Sequence, residues 1–210
     1  MKNKVAFLGA GSHADAILPI LDLNNYEFMG YFDDKDIKEH DGYPILGKMH
    51  DILHYLESGE VNNVFITIGD NVKRKELFDL VAKEYYHSLI NIISPKAIIL
   101  SPKSIKGRGI FIGIGAFVGS KVEIYDNNVV NTGAVIEHHS IIKSHCNIAP
   151  NSTINGLCIL NEGVYAGSSC TLVQLIEVSP YTTIGAGTVV IKSLTETGTY
   201  VGVPARKLND

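Results

Sequence analysis

Cysteine is scarce in this chain: three among 210 residues, an odd number. A disulfide-stapled secreted scaffold needs pairs, so the count fits a reducing cytoplasm instead. An excess of one charge is missing too, since 18 Lys and Arg against 22 Asp and Glu leave a net charge of −4. That balance offers no electrostatic reason to expect nucleic acid or an anionic membrane as partner. No apolar run approaches the ~18 residues of a membrane span, and the first residues lack the apolar stretch and cleavage site of a signal peptide. A cytoplasmic chain of one large or two small domains is expected. What the chain does have is glycine, 20 residues of it, and the placement of those residues is informative.

The chain repeats. From Ile112, steps of six reach Val118, Ile124, Val130, Ile136, Ile142, Ile148, Ile154, Leu160, Ala166, Leu172, Val178, Ile184 and Val190, all aliphatic. Two positions earlier in each hexad the residues are mostly small, among them Ala116, Ala134, Ser140, Cys146, Ser152, Cys158 and Cys170. Neither a helix of period 3.6 nor a strand of period 2 predicts a strict period of six. A triangular solenoid does: each hexad is one short side, three sides close a coil, and the aliphatic residue points inward. The repeat therefore predicts a left-handed parallel β-helix. Cys146, Cys158 and Cys170 are spaced like metal ligands, yet all three hold the small-residue slot on different sides of the triangle. They are expected to pack, and no metal site is proposed.

A different module precedes the solenoid. Lys4 to Leu8 reads as a strand, followed by Gly9-Ala10-Gly11-Ser12-His13-Ala14 and a helix over Ala16 to Leu23. Glu27 to Phe32 is a second strand, ending in Asp33-Asp34. Leu46 to Leu56 has helical spacing, Val61 to Ile68 is a third strand meeting Gly69-Asp70-Asn71, and a helix follows through Arg74, Leu77, Leu80 and Val81. Strands alternating with helices predict a parallel sheet with ligands at the strands' carboxyl ends. The division is a Rossmann-like nucleotide-binding half domain over 1–95 and the β-helix over 96–210. The loop fits G-x-G-x-x-A with acidic residues about twenty positions later. Gly9 and Gly11 would let backbone amides approach a diphosphate, and Asp33 or Asp34 would accept hydrogen bonds from a ribose or base. The module is about half a dinucleotide domain, so one nucleotide fits better than two. A tight turn without ligand is the plainer reading of the same glycines.

Among eight histidines, His138 stands out in Ile136-Glu137-His138-His139. Ile136 holds the inward slot, which puts His138 at a corner, outside the core. One coil later the equivalent residue is Gly156, expected to leave room beside the imidazole for a ligand. An ordinary imidazole titrates near ~6.5, suitable for a base at neutral pH. The plainer reading is a solvated surface histidine.

These features together resemble the bacterial sugar acyltransferases that join a small nucleotide-binding βαβ domain to a left-handed β-helix, a group with nucleotide-aminosugar N-acetyltransferases and sialic acid O-acetyltransferases. The resemblance spans essentially the whole chain. It is carried by Gly9-Ala10-Gly11-Ser12-His13, Asp33-Asp34, Gly69-Asp70-Asn71 with Arg74, Asn131-Thr132, Ile136-Glu137-His138, Ile148-Ala149-Pro150, Ile184-Gly185-Ala186-Gly187 and Val201-Gly202-Val203-Pro204-Ala205. It implies a homotrimer that uses acetyl-CoA and has its active site between subunits. By resemblance His138 is the general base. Gly9, Gly11, Ser12, His13, Asp33, Asp34, Gly69, Asn71 and Arg74 face the nucleotide sugar. Gly156, Ser168, Ala186 and Pro204 face acetyl-CoA. Two positions depart from the family's pattern: His139 stands where a carboxylate usually orients the base, and Asn147 stands where a second histidine usually lies near the thioester.

The expected activity is transfer of an acetyl group from acetyl-CoA to the 4-amino group of a UDP- or dTDP-linked 4-amino-4,6-dideoxy sugar, for surface polysaccharide or glycan synthesis. A sialic acid O-acetyltransferase shares fold and donor, but the glycine loop and Asp33-Asp34 favour a nucleotide sugar. A nicotinamide oxidoreductase would leave the β-helix unexplained. A trimeric zinc hydratase needs convergent histidines, whereas His138 and His145 fall on different sides. A purely structural solenoid would not need the first module.

Overall fold

The computed structural model describes residues 2–208. The chain forms two compact units, the first ending at Ile92 and the second beginning at Ile93.

The first unit is built on β1 (Asn3–Leu8), α1 (Ser12–Ile17), β2 (Tyr26–Phe32), β3 (Glu39–His40), β4 (Tyr43–Gly47), α2 (Ile52–Ser58), β5 (Asn63–Ile66) and α3 (Asn71–Tyr85). The sheet order is β3-β4-β2-β1-β5. The pairs β1/β2, β1/β5 and β2/β4 are parallel, and β3/β4 is antiparallel. Because β1 lies between β2 and β5, the chain leaves it on one side and returns on the other. This is the switch point at which open α/β sheets bind ligands. Ala6, Leu8, Phe32, Val64 and Ile66 from the sheet pack against Ile52 of α2 and Phe78 and Val81 of α3.

Two local expectations change. Leu46 lies in β4, and the helix begins only at Ile52. Helical spacing there was a coincidence of apolar residues shared between a strand and the helix after it. The first helix spans Ser12–Ile17, earlier than expected, and tightens into a 3-10 turn at Leu18–Ile20, which contains Pro19. Proline lacks the N–H that a continuing α-helix would use.

The second unit is a left-handed parallel β-helix. Two-residue strands recur every six residues from Phe111–Ile112 to Val189–Val190 and sort into three sheets. Each pairs in parallel with the strand one coil on, as in Val129↔Asn147, Val135↔Thr153 and Ile141↔Ile159. All the aliphatic hexad residues from Ile112 to Val190 are 0% exposed, and the slot two positions earlier is buried throughout. Burying a Leu, Ile or Val side chain is worth about 1.5–3 kcal/mol, so the stack is the main source of cohesion.

The corners have their own period. Every sixth residue from Gly109 to Gly187 has positive φ, including Lys121, Asn127, His139, His145, Asn151, Leu157, Ser169, Leu175 and Tyr181. The cysteines pack as expected: all three are buried, and the thiol of Cys146 donates to the Asn161 carbonyl at 3.1 Å. Burial pushes the Cys170 thiol up to about 11, which makes it a poor nucleophile.

Candidate active site

His138 and His139 form the corner after the strand Val135–Ile136. The backbone there is tied to the coils on both sides. His139 N–H donates to the Ser120 carbonyl at 3.0 Å, and the His138 carbonyl accepts from Leu157 N–H at 3.0 Å. Both side chains are exposed. The His138 ring lies flat along the next coil: a Cβ at position 156 would sit 2.5 Å from its Cε1 and 2.8 Å from its Nε2. The space opened by Gly156 is thus filled by the imidazole, where the sequence had pointed to room for a ligand. Glycine serves to aim the ring. Nδ1 of His138 lies 3.1 Å from Nδ1 of His139.

The same corner continues through Leu157 and Leu175, one and two coils on. Both have positive φ, and they are 45% and 64% exposed. A bulky side chain in the left-handed region is strained, and leaving it in water adds a second cost. Sequence periodicity did not single these leucines out, because the hexad pattern marks the inward slot and is silent about the corner.

Asn147, Ser168 and Ala186 lie elsewhere on the triangle. Asn147 faces outward from the strand Asn147–Ile148, 7% exposed, and its Oδ1 has no hydrogen-bond partner among the described residues. Ser168 and Ala186 precede the corner residues Ser169 and Gly187. Pro204 lies in the turn that joins the strand Thr199–Val201 to the antiparallel strand Arg206–Lys207. One chain therefore carries the expected catalytic and donor-binding residues on two separate edges. The structure does not bring His138 and Asn147 together within a chain.

In the first unit the strand ends are laced together. Gly9 N–H donates to the Phe32 carbonyl at 2.9 Å, and Thr67 Oγ1 donates to the Gly9 carbonyl at 2.6 Å. Gly9 has φ +110, and a Cβ there would lie 2.6 Å from Ile68 Cδ1. Its glycine is required by packing. Gly11 has nothing within 4 Å of an added Cβ, which leaves its surroundings open to a ligand.

The two aspartates separate. Asp33 is 4% exposed. Its Oδ2 accepts from Ala10 N–H at 2.7 Å, and its Oδ1 accepts from Lys35 N–H at 2.8 Å. It clamps the glycine loop, with each carboxylate oxygen engaged by a backbone N–H. Asp34 is exposed and lines a cavity of about 380 Å³ with Met49, Ile68, Lys73, Glu76 and Leu77.

Arg74, 1% exposed, donates to Asn71 Oδ1 at 2.8 Å and holds the Gly69-Asp70-Asn71 turn from beneath. Burial, and then the Arg74 charge, push the His13 pKa down to about 4, so His13 is neutral at physiological pH. Ser12 is exposed at the start of α1. Met49, Lys73, Glu76 and Leu77 were missed from sequence because they come from separate segments that only the sheet brings together.

Residues 4–81 match the family model described as the PglD N-terminal domain. The chain with its PglD-type unit also superposes, over 99% of its length, on 100% of the acetyltransferase domain of PglB from Neisseria gonorrhoeae, with 25% identity and a TM-score of 0.89. That domain has also been solved with acetyl coenzyme A. PerB from Caulobacter crescentus, solved with CoA and GDP-perosamine, is 27% identical, with 99% of this chain and 98% of that one covered at a TM-score of 0.88. An uncharacterized protein of Acanthamoeba polyphaga mimivirus is 32% identical over 127 residues, 60% of this chain. The chain spans only 24% of that relative's length. The order of PglD-type unit and β-helix is that of the bacterial sugar acyltransferases, as the sequence resemblance implied.

Proposed function

We propose that this protein is an acetyl-CoA-dependent N-acetyltransferase acting on the 4-amino group of a nucleotide-linked 4-amino-4,6-dideoxy sugar, UDP- or dTDP-linked, for surface glycan synthesis in the cytoplasm. The PglD-type unit binds the nucleotide, at the cavity beside Asp34 and the open side of Gly11. The β-helix performs the transfer. The observation that carries the reading is the His138 ring, solvent-facing and laid over Gly156, at the head of an apolar strip.

Coils are ~4.8 Å apart, so Leu157 and Leu175 extend that strip along the corner by one and two coils. It suits the pantetheine arm of the donor. Further on, Lys192 and Arg206 line a cavity of about 250 Å³, where two cations suit the phosphates of CoA. Nε2 of His138 takes a proton from the sugar amine as its nitrogen attacks the thioester carbonyl. The C–N bond forms, the C–S bond breaks, and the departing CoA thiolate takes a proton back from the imidazolium. Holding both substrates together supplies much of the acceleration, and backbone amides at the corners suit the developing oxyanion. Ser168, Ala186, Pro204 and Asn147 lie away from His138 in one chain. We therefore propose a homotrimer in which a neighbouring copy supplies them.

Initial rates with acetyl-CoA and UDP-, dTDP- and GDP-linked 4-amino sugars test the reading. His138→Ala should lower kcat by roughly 10²–10⁴, the usual contribution of a general base, with acetyl-CoA binding retained. A variant within about threefold of wild type, far below that range, would remove His138 from the reaction.

A further inference from the structure

The two rings at the corner meet through like atoms. With Nδ1 of His138 and Nδ1 of His139 at 3.1 Å and ring planes at 86°, one proton must lie between them, since two facing lone pairs repel. Each neutral imidazole carries a single N–H. A proton on Nδ1 of His138 leaves its Nε2 free to accept, which a base requires. A proton on Nδ1 of His139 forces the His138 proton onto Nε2 and blocks it.

We propose that His139 is a positioning residue: its Nδ1 accepts the Nδ1–H of His138, which fixes the tautomer with Nε2 as base and holds the ring across Gly156. This rests on the reading of His138 as the base.

The turn itself does not require histidine. His139 has φ +61, and the same slot elsewhere is filled by Gly133, Asn151 and Ser169, also at positive φ. Along this edge the slot holds Lys121, Leu157 and Leu175, none of which can offer a nitrogen lone pair. Histidine also fills the slot at His145, on another edge; along this edge it is found only beside a second imidazole that needs an acceptor. A neutral imidazole in this place orients the base without the charge that a carboxylate would add, and an imidazolium, with two donors and no acceptor, could not do so.

Three substitutions separate this role from a structural one, each keeping the neighbouring charges of Glu137 and Lys121. His139→Gly suits the left-handed corner and removes the acceptor. kcat should fall roughly 10–100-fold, by analogy with partners that orient a metal-bound histidine, with acetyl-CoA KM and thermal midpoint unchanged. His139→Asn also tolerates the corner and puts an acceptor oxygen in place of Nδ1, so it should restore most of the rate. His139→Glu should shift the acid limb of the pH–rate profile upward, because a nearby negative charge favours the imidazolium. Nitrogen-15 NMR of wild type should show the His138 proton on Nδ1. Wild-type rate in His139→Gly, or no recovery in His139→Asn, would overturn the assignment. His138→Ala, assayed in parallel, isolates the cause: if it is inactive while His139→Gly is not, only this inference fails, and if it is fully active, the base reading fails as well.

Discussion

Asp33 and Asp34 are neighbours of one residue type, yet their surroundings give them different tasks. Asp33 spends both carboxylate oxygens on backbone N–H groups of the glycine loop and its own turn. Asp34 spends one oxygen on Met49 N–H at 3.1 Å and lines the cavity. Asp33→Ala should therefore cost about 1.5–3 kcal/mol of stability in urea unfolding, the worth of hydrogen bonds to a charged group. Asp34→Ala should stay within about 0.5 kcal/mol of wild type in stability while weakening nucleotide-sugar affinity by roughly tenfold or more. The reverse pattern, with Asp33 governing affinity, would show that the loop opens to admit the ligand. Sequence marked the pair as functional but could not rank its members, because burial is invisible in a dipeptide. Gly9 and Gly11 divide in the same way, one needed for packing and one open to a ligand.

Among elements, the corners of the β-helix show where local cost has been accepted. Leu175 combines positive φ with 64% exposure, though its N–H is well placed on the Gly156 carbonyl at 3.0 Å. A non-glycine residue in this region is strained by about 1–2 kcal/mol, and glycine's greater loss of freedom on folding offsets about 0.5–1 of that. Leu175→Gly should then leave the protein as stable or up to about 1.5 kcal/mol more stable, while raising the KM for acetyl-CoA. A clear loss of stability with unchanged KM would mean that the leucine packs against another protein surface and not the donor. The strands were legible because one face of each hexad is buried without exception. The corners were not, since their requirement is on φ, which several residue types meet.

For the molecule as a whole, what matters is which edge each residue occupies. Val129 is 1% exposed, and its ladder neighbours Phe111 and Asn147 are buried as well. Val135 and Ile141 remain partly exposed on the outer faces, so apolar surface for assembly lies on those two sides. The separation of His138 from Asn147, Ser168 and Ala186 still calls for a second copy to complete the site. Light scattering at micromolar concentration should give three times the chain mass, as expected of a trimer closed by cyclic symmetry. A monomer with full activity would remove the shared site.

The sequence alone determined the solenoid, its register and its inward residues, because a buried stack admits one answer at every sixth position and a single slip would turn the core outward. It also identified the βαβ module and the corner histidine, whose residue types are tied to particular turns. Tertiary structure alone decided that Asp33 is a clamp and Asp34 a cavity wall, that Arg74, expected to face the nucleotide sugar, is buried beneath the Gly69-Asp70-Asn71 turn, that Gly156 makes way for the imidazole itself, and that His138 faces His139 and not Asn147. Each of these depends on distances between segments far apart in the chain, and a one-dimensional pattern carries no such distances until the strands have paired.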